Sequence, residues 1–176
     1  LTEKARPTPT HACALEVLGR ISEASEILAG YVAKHPDDSR SHLALGRIQL
    51  RQNNFDTSIS HLRKCEELGL DDPEVFTLLG RAYNLKGQIE ASEQALYRAI
   101  SVDPTNLDTL HQMAMVLIDH RKSEAAHKLL KQLVELDPLN PLRVNMLLTT
   151  SMQLCCWDEA DHCLSAIPTL GISQPL

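Results

Sequence analysis

Residues 73–106 read PEVFTLLGRAYNLKGQIEASEQALYRAISVDPTN, and this stretch decides the fold. Its apolar side chains recur at helical spacing on both sides of Lys86-Gly87-Gln88, which predicts two amphipathic helices joined by a tight turn. The stretch ends at Asp103-Pro104, and proline cannot continue a helix. Moved by 34 residues in either direction, the stretch falls on a copy of itself. The sequence therefore predicts an array of helical hairpins.

Five repeats of 34 residues account for nearly the whole chain without an insertion or a deletion. We number them repeats 1 to 5, and they cover residues 5–38, 39–72, 73–106, 107–140 and 141–174. Position 24 of each repeat is a leucine: Leu28, Leu62, Leu96, Leu130 and Leu164. Position 20 is always small: Ala24, Ser58, Ser92, Ala126 and Ala160.

Position 8 is also small in four repeats, as Ala12, Gly46, Gly80 and Ala114, whereas repeat 5 has Leu148 there. Small residues at positions 8 and 20 let the two helices of a repeat approach closely, and the leucines fill the space between them. We therefore expect the helices of repeat 5 to lie slightly further apart than those of the other repeats.

The repeats resemble the tetratricopeptide repeat. Its signature positions are occupied in repeat 3 by Phe76, Leu79, Gly80, Tyr83, Ala99 and Pro104. The resemblance implies an all-α fold: a right-handed superhelical array of antiparallel helix pairs that forms a single array over residues 1–176, with the first and last repeats degenerate. Because Pro7 and Pro9 interrupt repeat 1, we expect either that its first helix begins near Thr10 or that a helix upstream of it has been cut away. Pro168 predicts that the last helix stops near Ile167.

Composition excludes several classes of protein. The formal net charge is −6, whereas a nucleic-acid surface needs a basic stripe, so no nucleic-acid partner is expected. The uncharged run of residues 144–157 has 14 residues, short of the roughly 20 that cross a membrane. The five cysteines have no regular spacing, which favours reduced thiols and a cytoplasmic location over a disulfide scaffold.

The chain carries no motif of an enzyme active site. It has no glycine-rich phosphate loop and no GxSxG, HExxH or CxxC, so we predict no catalytic residue and no cofactor. His120 and His127 fall on successive helices, and Cys65 and Cys163 are interpreted as packed core thiols. We therefore predict no metal site. Trp157 shares an apolar column with Ile21, Phe55 and Ile89 and is expected to pack.

The family resemblance implies a partner-binding groove lined by the first helices of the repeats. The groove positions combine arginines in repeats 2 and 3 with methionines in repeats 4 and 5, which indicates an extended partner with acidic groups at one end and apolar groups at the other. The predicted groove residues are Arg40, Leu43, Arg47, Arg51, Thr77, Arg81, Asn84, His111, Gln112, Met115, Asn145, Met146 and Met152.

Two functions remain open at this point. The first is a protein–protein interaction module or scaffold that binds a peptide or helix, with self-association through the terminal helices as a further expectation. The second is the recruiting arm of a larger enzyme. Residues 154–159, LCCWDE, resemble the segment at which the repeats of O-linked N-acetylglucosamine transferases and their bacterial relatives give way to the catalytic region. The chain begins at Leu1 and not at a methionine, so we expect it to be a piece of a longer protein. The residues that follow Leu176 in that protein would distinguish the two functions.

Overall fold

The computed structural model describes residues 8–166 of the chain. They form ten α-helices, with no strand among the described residues. The helices are α1 (Pro9–Val17), α2 (Ile21–Val32), α3 (Ser39–Arg51), α4 (Phe55–Glu67), α5 (Pro73–Leu85), α6 (Ile89–Val102), α7 (Leu107–Asp119), α8 (Ser123–Leu136), α9 (Pro141–Gln153) and α10 (Trp157–Ala166). Consecutive odd and even helices form the five predicted hairpins, which confirms the all-α fold class. The predicted stop near Ile167 lies outside the described residues.

The helix starts reproduce the 34-residue period. The helices α3, α5, α7 and α9 each begin at the first residue of a repeat, and the last residue of the preceding repeat caps them. Each capping side chain accepts a hydrogen bond from a backbone N–H of the first turn, which satisfies a donor that has no partner within the helix. The four caps are Asp38, Asp72, Asn106 and Asn140, with N···O distances of 3.2, 2.8, 3.0 and 3.2 Å.

The glycine of repeat 3 admits the leucine of the facing helix. A Cβ added at Gly80 would lie 2.5 Å from Leu96 Cγ, so no larger residue fits without displacing that side chain. The Ser92 hydroxyl donates to the Gly80 carbonyl oxygen at 2.7 Å, and both residues are buried. Gly46, Ser58 and Leu62 repeat this arrangement between α3 and α4. The close approach of the helices in repeats 2 and 3 thus rests on one missing Cβ and one buried hydroxyl in each repeat.

Repeat 5 departs from this packing. Leu164 is 44% exposed, whereas the leucine is fully buried in the other four repeats. Leu148 stands at the position of Gly80, and its side chain is buried. We infer that the larger residue at position 8 displaces the leucine of the second helix, and the wider helix spacing of repeat 5 stays a prediction.

The described residues fall into two compact units that divide between Val102 and Asp103. In the N-terminal unit, one cluster packs α3 to α6 around Phe76 and Leu79, and another packs α1 to α3 around Leu28 and Ile48. In the C-terminal unit, the buried residues include Leu110, Met113, Leu130 and Leu133. Among residues 8–166, no helix combines the length and the apolar composition that a membrane span requires.

A pair of histidines joins α3 and α4. The Nδ1 atoms of His42 and His61 lie 3.0 Å apart, and His42 Nε2 lies 3.0 Å from the carbonyl oxygen of Pro36. Since a carbonyl only accepts, His42 Nε2 carries a proton and His42 Nδ1 accepts from His61 Nδ1–H. Burial, and then the adjacent His42 ring, lower the pKa of His61. The hydrogen bond requires His42 Nδ1 to be unprotonated, and the lowered pKa of His61 favours a neutral imidazole there.

Acidification from about pH 7 to pH 5 should therefore destabilise the fold. A lowered pKa in the folded state means that the unfolded chain takes up the proton first, so the stabilisation is present above a pH of about 6.5 and is lost as the pH falls through that value. His61→Asn keeps a donor for His42 but does not titrate, and its melting temperature should depend less on pH than that of the wild type. His11→Asn, at an exposed position, is the control. Equal pH dependence in wild type and His61→Asn would contradict this account.

Candidate functional site

The first helices of repeats 1 to 3 lie side by side. Helix α3 contacts both α1 and α5 in addition to its hairpin partner α4. Side chains at equivalent positions of these three helices therefore line one face, which we call the α1–α3–α5 face. The predicted groove residues of repeats 2 and 3 lie on α3 and α5.

Ion pairs connect the three helices across this face. Arg47 on α3 donates from Nε and Nη2 to Glu16 on α1, at 3.2 and 3.1 Å, and from Nη1 to Glu74 on α5, at 2.9 Å. Arg51 Nη1 donates to Glu16 Oε1 at 3.1 Å. The Glu16 side chain is only 11% exposed and accepts from both arginines. One guanidinium thus bridges three successive repeats.

The charge of Arg47 is largely committed to these internal partners. Burial by itself lowers the pKa of Arg47, but the hydrogen bonds that it donates to Glu16 and Glu74, together with their negative charges, outweigh that effect and leave the pKa raised. Arg47 is therefore a permanent cation whose donors already face carboxylates. An acidic partner would have to compete with Glu16 and Glu74 for this side chain.

Two other predicted arginines are exposed and uncompensated. Arg40 and Arg81 make no ion pair with any residue between 8 and 166. Thr77 donates its hydroxyl to the Pro73 carbonyl oxygen at 2.8 Å, and Asn84 is half-buried. The prediction that Leu43 lines the groove is wrong. Its side chain is buried among the residues that pack around Phe76 and offers no surface to a partner.

The predicted groove residues of repeats 4 and 5 lie on α7 and α9 in the C-terminal unit. Met115 and Met152 are 40% and 52% exposed, so two of the three methionines present apolar surface. Asn145 is exposed, whereas His111, Gln112 and Met146 are half-buried. Burial, and then the charge of Arg143, lower the pKa of His111, which favours a neutral imidazole there.

The predicted burial holds for two cysteines but not for the tryptophan. Cys65 and Cys163 are buried, as the sequence predicts, and burial raises the pKa of the Cys65 thiol to about 12. The prediction that Trp157 packs is wrong, since its side chain is 58% exposed. The other members of its column, Ile21, Phe55 and Ile89, are themselves only half-buried, and the larger indole leaves more of its surface outside.

Glu16 is the site residue that the sequence reading missed. It occupies position 12 of repeat 1, one of the groove positions, but the prediction started at repeat 2. The sequence does contain a signal for it, namely an acidic side chain at a groove position one repeat before the helix that carries Arg47 and Arg51. Because helices of successive repeats are neighbours, such a carboxylate lies within reach of Arg47 and Arg51.

Comparison with known proteins agrees with the repeat assignment. Two tetratricopeptide repeat models match residues 10–69 and 73–106, together more than half of the chain. The bifunctional NrfFG subunit of the formate-dependent nitrite reductase complex of Haemophilus influenzae is 26% identical over 113 residues, which is 62% of this chain. The chain spans only 29% of the length of that relative.

Solved structures share the fold over most of the chain. The crystal structure of MamA has a TM-score of 0.81 and 17% identity, and the match covers 91% of this chain and 94% of MamA. YrrB, a TPR protein with an unusual peptide-binding site, has a TM-score of 0.71 and 16% identity over 90% of this chain and 82% of its own. At such identities the likeness concerns the fold alone. With its helix-pair architecture and the two repeat matches, the chain belongs to the tetratricopeptide repeat family.

Proposed function

We propose that this chain is a protein–protein interaction module that binds an extended acidic segment of a partner on the α1–α3–α5 face. The observation that carries the proposal is the pair of uncompensated arginines, Arg40 and Arg81, on a face whose other cations are fixed by Glu16 and Glu74. In a chain of net charge −6, this is a local site for carboxylates.

The geometry of the face suits an extended segment. Arg40 and Arg47 are seven residues apart on α3 and therefore share a side of that helix, and Arg81 holds the position of Arg47 one repeat later on α5. A segment that crosses α3 and α5 would meet Arg40 and Arg81 as free donors. The bridge from Arg47 to Glu16 and Glu74 holds the helices in place, which lowers the ordering cost of binding.

Arg81→Glu should weaken the binding of acidic peptides by roughly three- to tenfold and flatten the salt dependence of the affinity, because it replaces an attractive charge with a repulsive one. The measurement is fluorescence polarisation at several salt concentrations. The probes are labelled peptides graded in Asp and Glu content, together with matched peptides that carry Lys instead.

Lys34→Glu is the matched control, because it makes the same charge change at an exposed position just after α2, outside the α1–α3–α5 face. The proposal predicts little loss of affinity for this variant. Equal affinities of Arg81→Glu and wild type at every salt concentration would refute the acidic-segment proposal. So would equal losses in Arg81→Glu and Lys34→Glu, since that result would indicate a response to net charge.

A second candidate is the recruiting arm of a larger enzyme or complex, such as a glycosyltransferase. Two observations favour it: the NrfFG relative is a bifunctional subunit of which this chain matches a minor part, and residues 154–159 resemble the glycosyltransferase segment described above. Determining the coding sequence downstream of Leu176 is the test. A sugar-nucleotide-binding α/β pattern there would support the enzyme arm, whereas further repeats or a stop codon would support the scaffold. A cytoplasmic location is part of the proposal, since the five cysteines are free thiols.

A further inference from the structure

A mixed cluster of potential ligands lies in the C-terminal unit, whereas the α1–α3–α5 face belongs to the N-terminal unit. His127 on α8, Cys156 in the turn after α9 and Glu159 in the first turn of α10 each bring one ligand atom to within 4.8 Å of the others. His127 is buried, and Cys156 and Glu159 are half-buried. The three residues come from two repeats and form no short motif, so no sequence pattern groups them.

The donor set indicates which ion would bind. The cluster offers one imidazole nitrogen, one thiol and one carboxylate, which are the three ligand types of zinc sites in proteins. Magnesium and calcium take oxygen ligands, and a sulfur donor disfavours both. We propose that His127, Cys156 and Glu159 form a zinc-binding site with three protein ligands and an open fourth position.

The spacing of the cluster is close to what zinc requires. Bonds of about 2.0–2.3 Å in tetrahedral geometry place the ligand atoms roughly 3.3–3.8 Å apart. His127 Nε2 already lies 2.5 Å from Glu159 Oε2, so this nitrogen is the one that faces the carboxylate. The three atoms need to move by about 1 Å to surround an ion, which a rotation of the half-buried side chains can supply.

The surroundings hold the ligands in place. The Lys131 ammonium binds the other oxygen of Glu159, a support of the kind that outer-shell partners give to metal-binding carboxylates. The backbone of Cys156 is fixed on both sides, because its N–H donates to Ser151 O at 2.9 Å and its carbonyl accepts from Ala160 N at 3.1 Å. An ion at this position would tie the second helices of repeats 4 and 5 together.

Zinc binding through Nε2 leaves Nδ1 as the protonated ring nitrogen of His127. The second ring nitrogen, His127 Nδ1, is buried with no hydrogen-bond partner among the described residues. It stays unpaired whether the ring gives Nε2–H to Glu159 or gives the Nε2 lone pair to an ion. The open position faces a surface depression of about 600 Å³ whose lining includes Lys128, Cys155 and the exposed Trp157. The ion is therefore accessible from solvent.

The test uses the whole chain after dialysis against a chelator. Calorimetric titration with zinc chloride should give one ion per chain, and the melting temperature should rise with the zinc concentration, because an ion that binds only the folded state stabilises it. Cobalt chloride should give a thiolate-to-cobalt charge-transfer band, which reports Cys156 directly. A wild type with no such band and no zinc-dependent rise in melting temperature would overturn the proposal.

Two variants and one control assign the ligands. Cys156→Ser and Glu159→Gln should each weaken zinc binding by at least about tenfold, and Cys156→Ser should also abolish the charge-transfer band. Cys155→Ser is the matched control, since this exposed cysteine occupies the same turn and lies outside the cluster. Circular dichroism confirms that each variant is folded. Zinc affinity in Cys156→Ser equal to that of the wild type, or a loss that occurs only in Cys155→Ser, would refute the assignment.

Discussion

Replacement of Leu96 by alanine should lower the free energy of unfolding by about 2–5 kcal/mol, the range for a large-to-small change in a packed core. Leu96 is fully buried, and its Cγ and both Cδ atoms lie directly over Gly80 of the facing helix. Glycine has no side chain with which to fill the space that alanine would leave. The site therefore has little means of collapsing, and the loss should fall in the upper part of the range. Urea denaturation measures it, with an unchanged m-value as the sign that the unfolded state is unaffected.

Leu164→Ala in repeat 5 is the matched control for Leu96→Ala. Leu164 occupies the same position of its repeat but is 44% exposed, so its truncation removes less buried surface and opens no enclosed cavity. We expect a loss below about 1 kcal/mol, typical of a partly exposed side chain. Equal losses for the two variants would contradict the packing described for repeats 3 and 5.

The repeat period predicted those features that every repeat has to reproduce. A helix pair must begin, turn and close at the same places in each repeat, so the helix starts at Ser39 and Pro73 could be predicted from the positions of leucines, small residues and prolines. The close helix packing at position 20 was also predicted, but the hydrogen bond that a serine makes there was not. Ser92 was expected only to be small, whereas in the structure it also hydrogen-bonds the Gly80 carbonyl.

Contacts that occur at only one place in the array cannot be predicted from the repeat period. The bridge from Arg47 to Glu16 and Glu74 joins three repeats. It is not reproduced at Arg81, which holds the same position one repeat later and makes no ion pair with the described residues. The His127, Cys156 and Glu159 cluster likewise depends on the turn of one repeat lying against a helix of its neighbour. Such contacts follow from how successive hairpins stack, and the pattern within one hairpin carries no information about them.

Repeat 5 has a leucine, Leu148, at position 8, where the other repeats have glycine or alanine, and its Leu164 is exposed. The same change can be made in repeat 3. Gly80→Leu should expel Leu96 from its position between α5 and α6, as we infer for Leu148 and the exposed Leu164 in repeat 5. Overpacking costs about 1–3 kcal/mol in a well-packed core, and lost burial of Leu96 adds to it. Denaturant unfolding measures the loss, with Leu148→Met as a control of similar volume at the position that already holds a large residue.

The double variant Gly80→Leu/Leu96→Ala tests this mechanism against a general intolerance of change. If the leucine added on α5 occupies the space vacated on α6, the two changes compensate, and the double variant should be more stable than the sum of the single losses predicts. Residues in contact show coupling free energies of about 0.5–3 kcal/mol, and this pair should fall in the upper half of that range because Cβ at position 80 and Cγ of Leu96 compete for one volume. Additive losses would mean that the Gly80 backbone, through its hydrogen bond from Ser92, sets the helix spacing and that Leu96 only fills what remains.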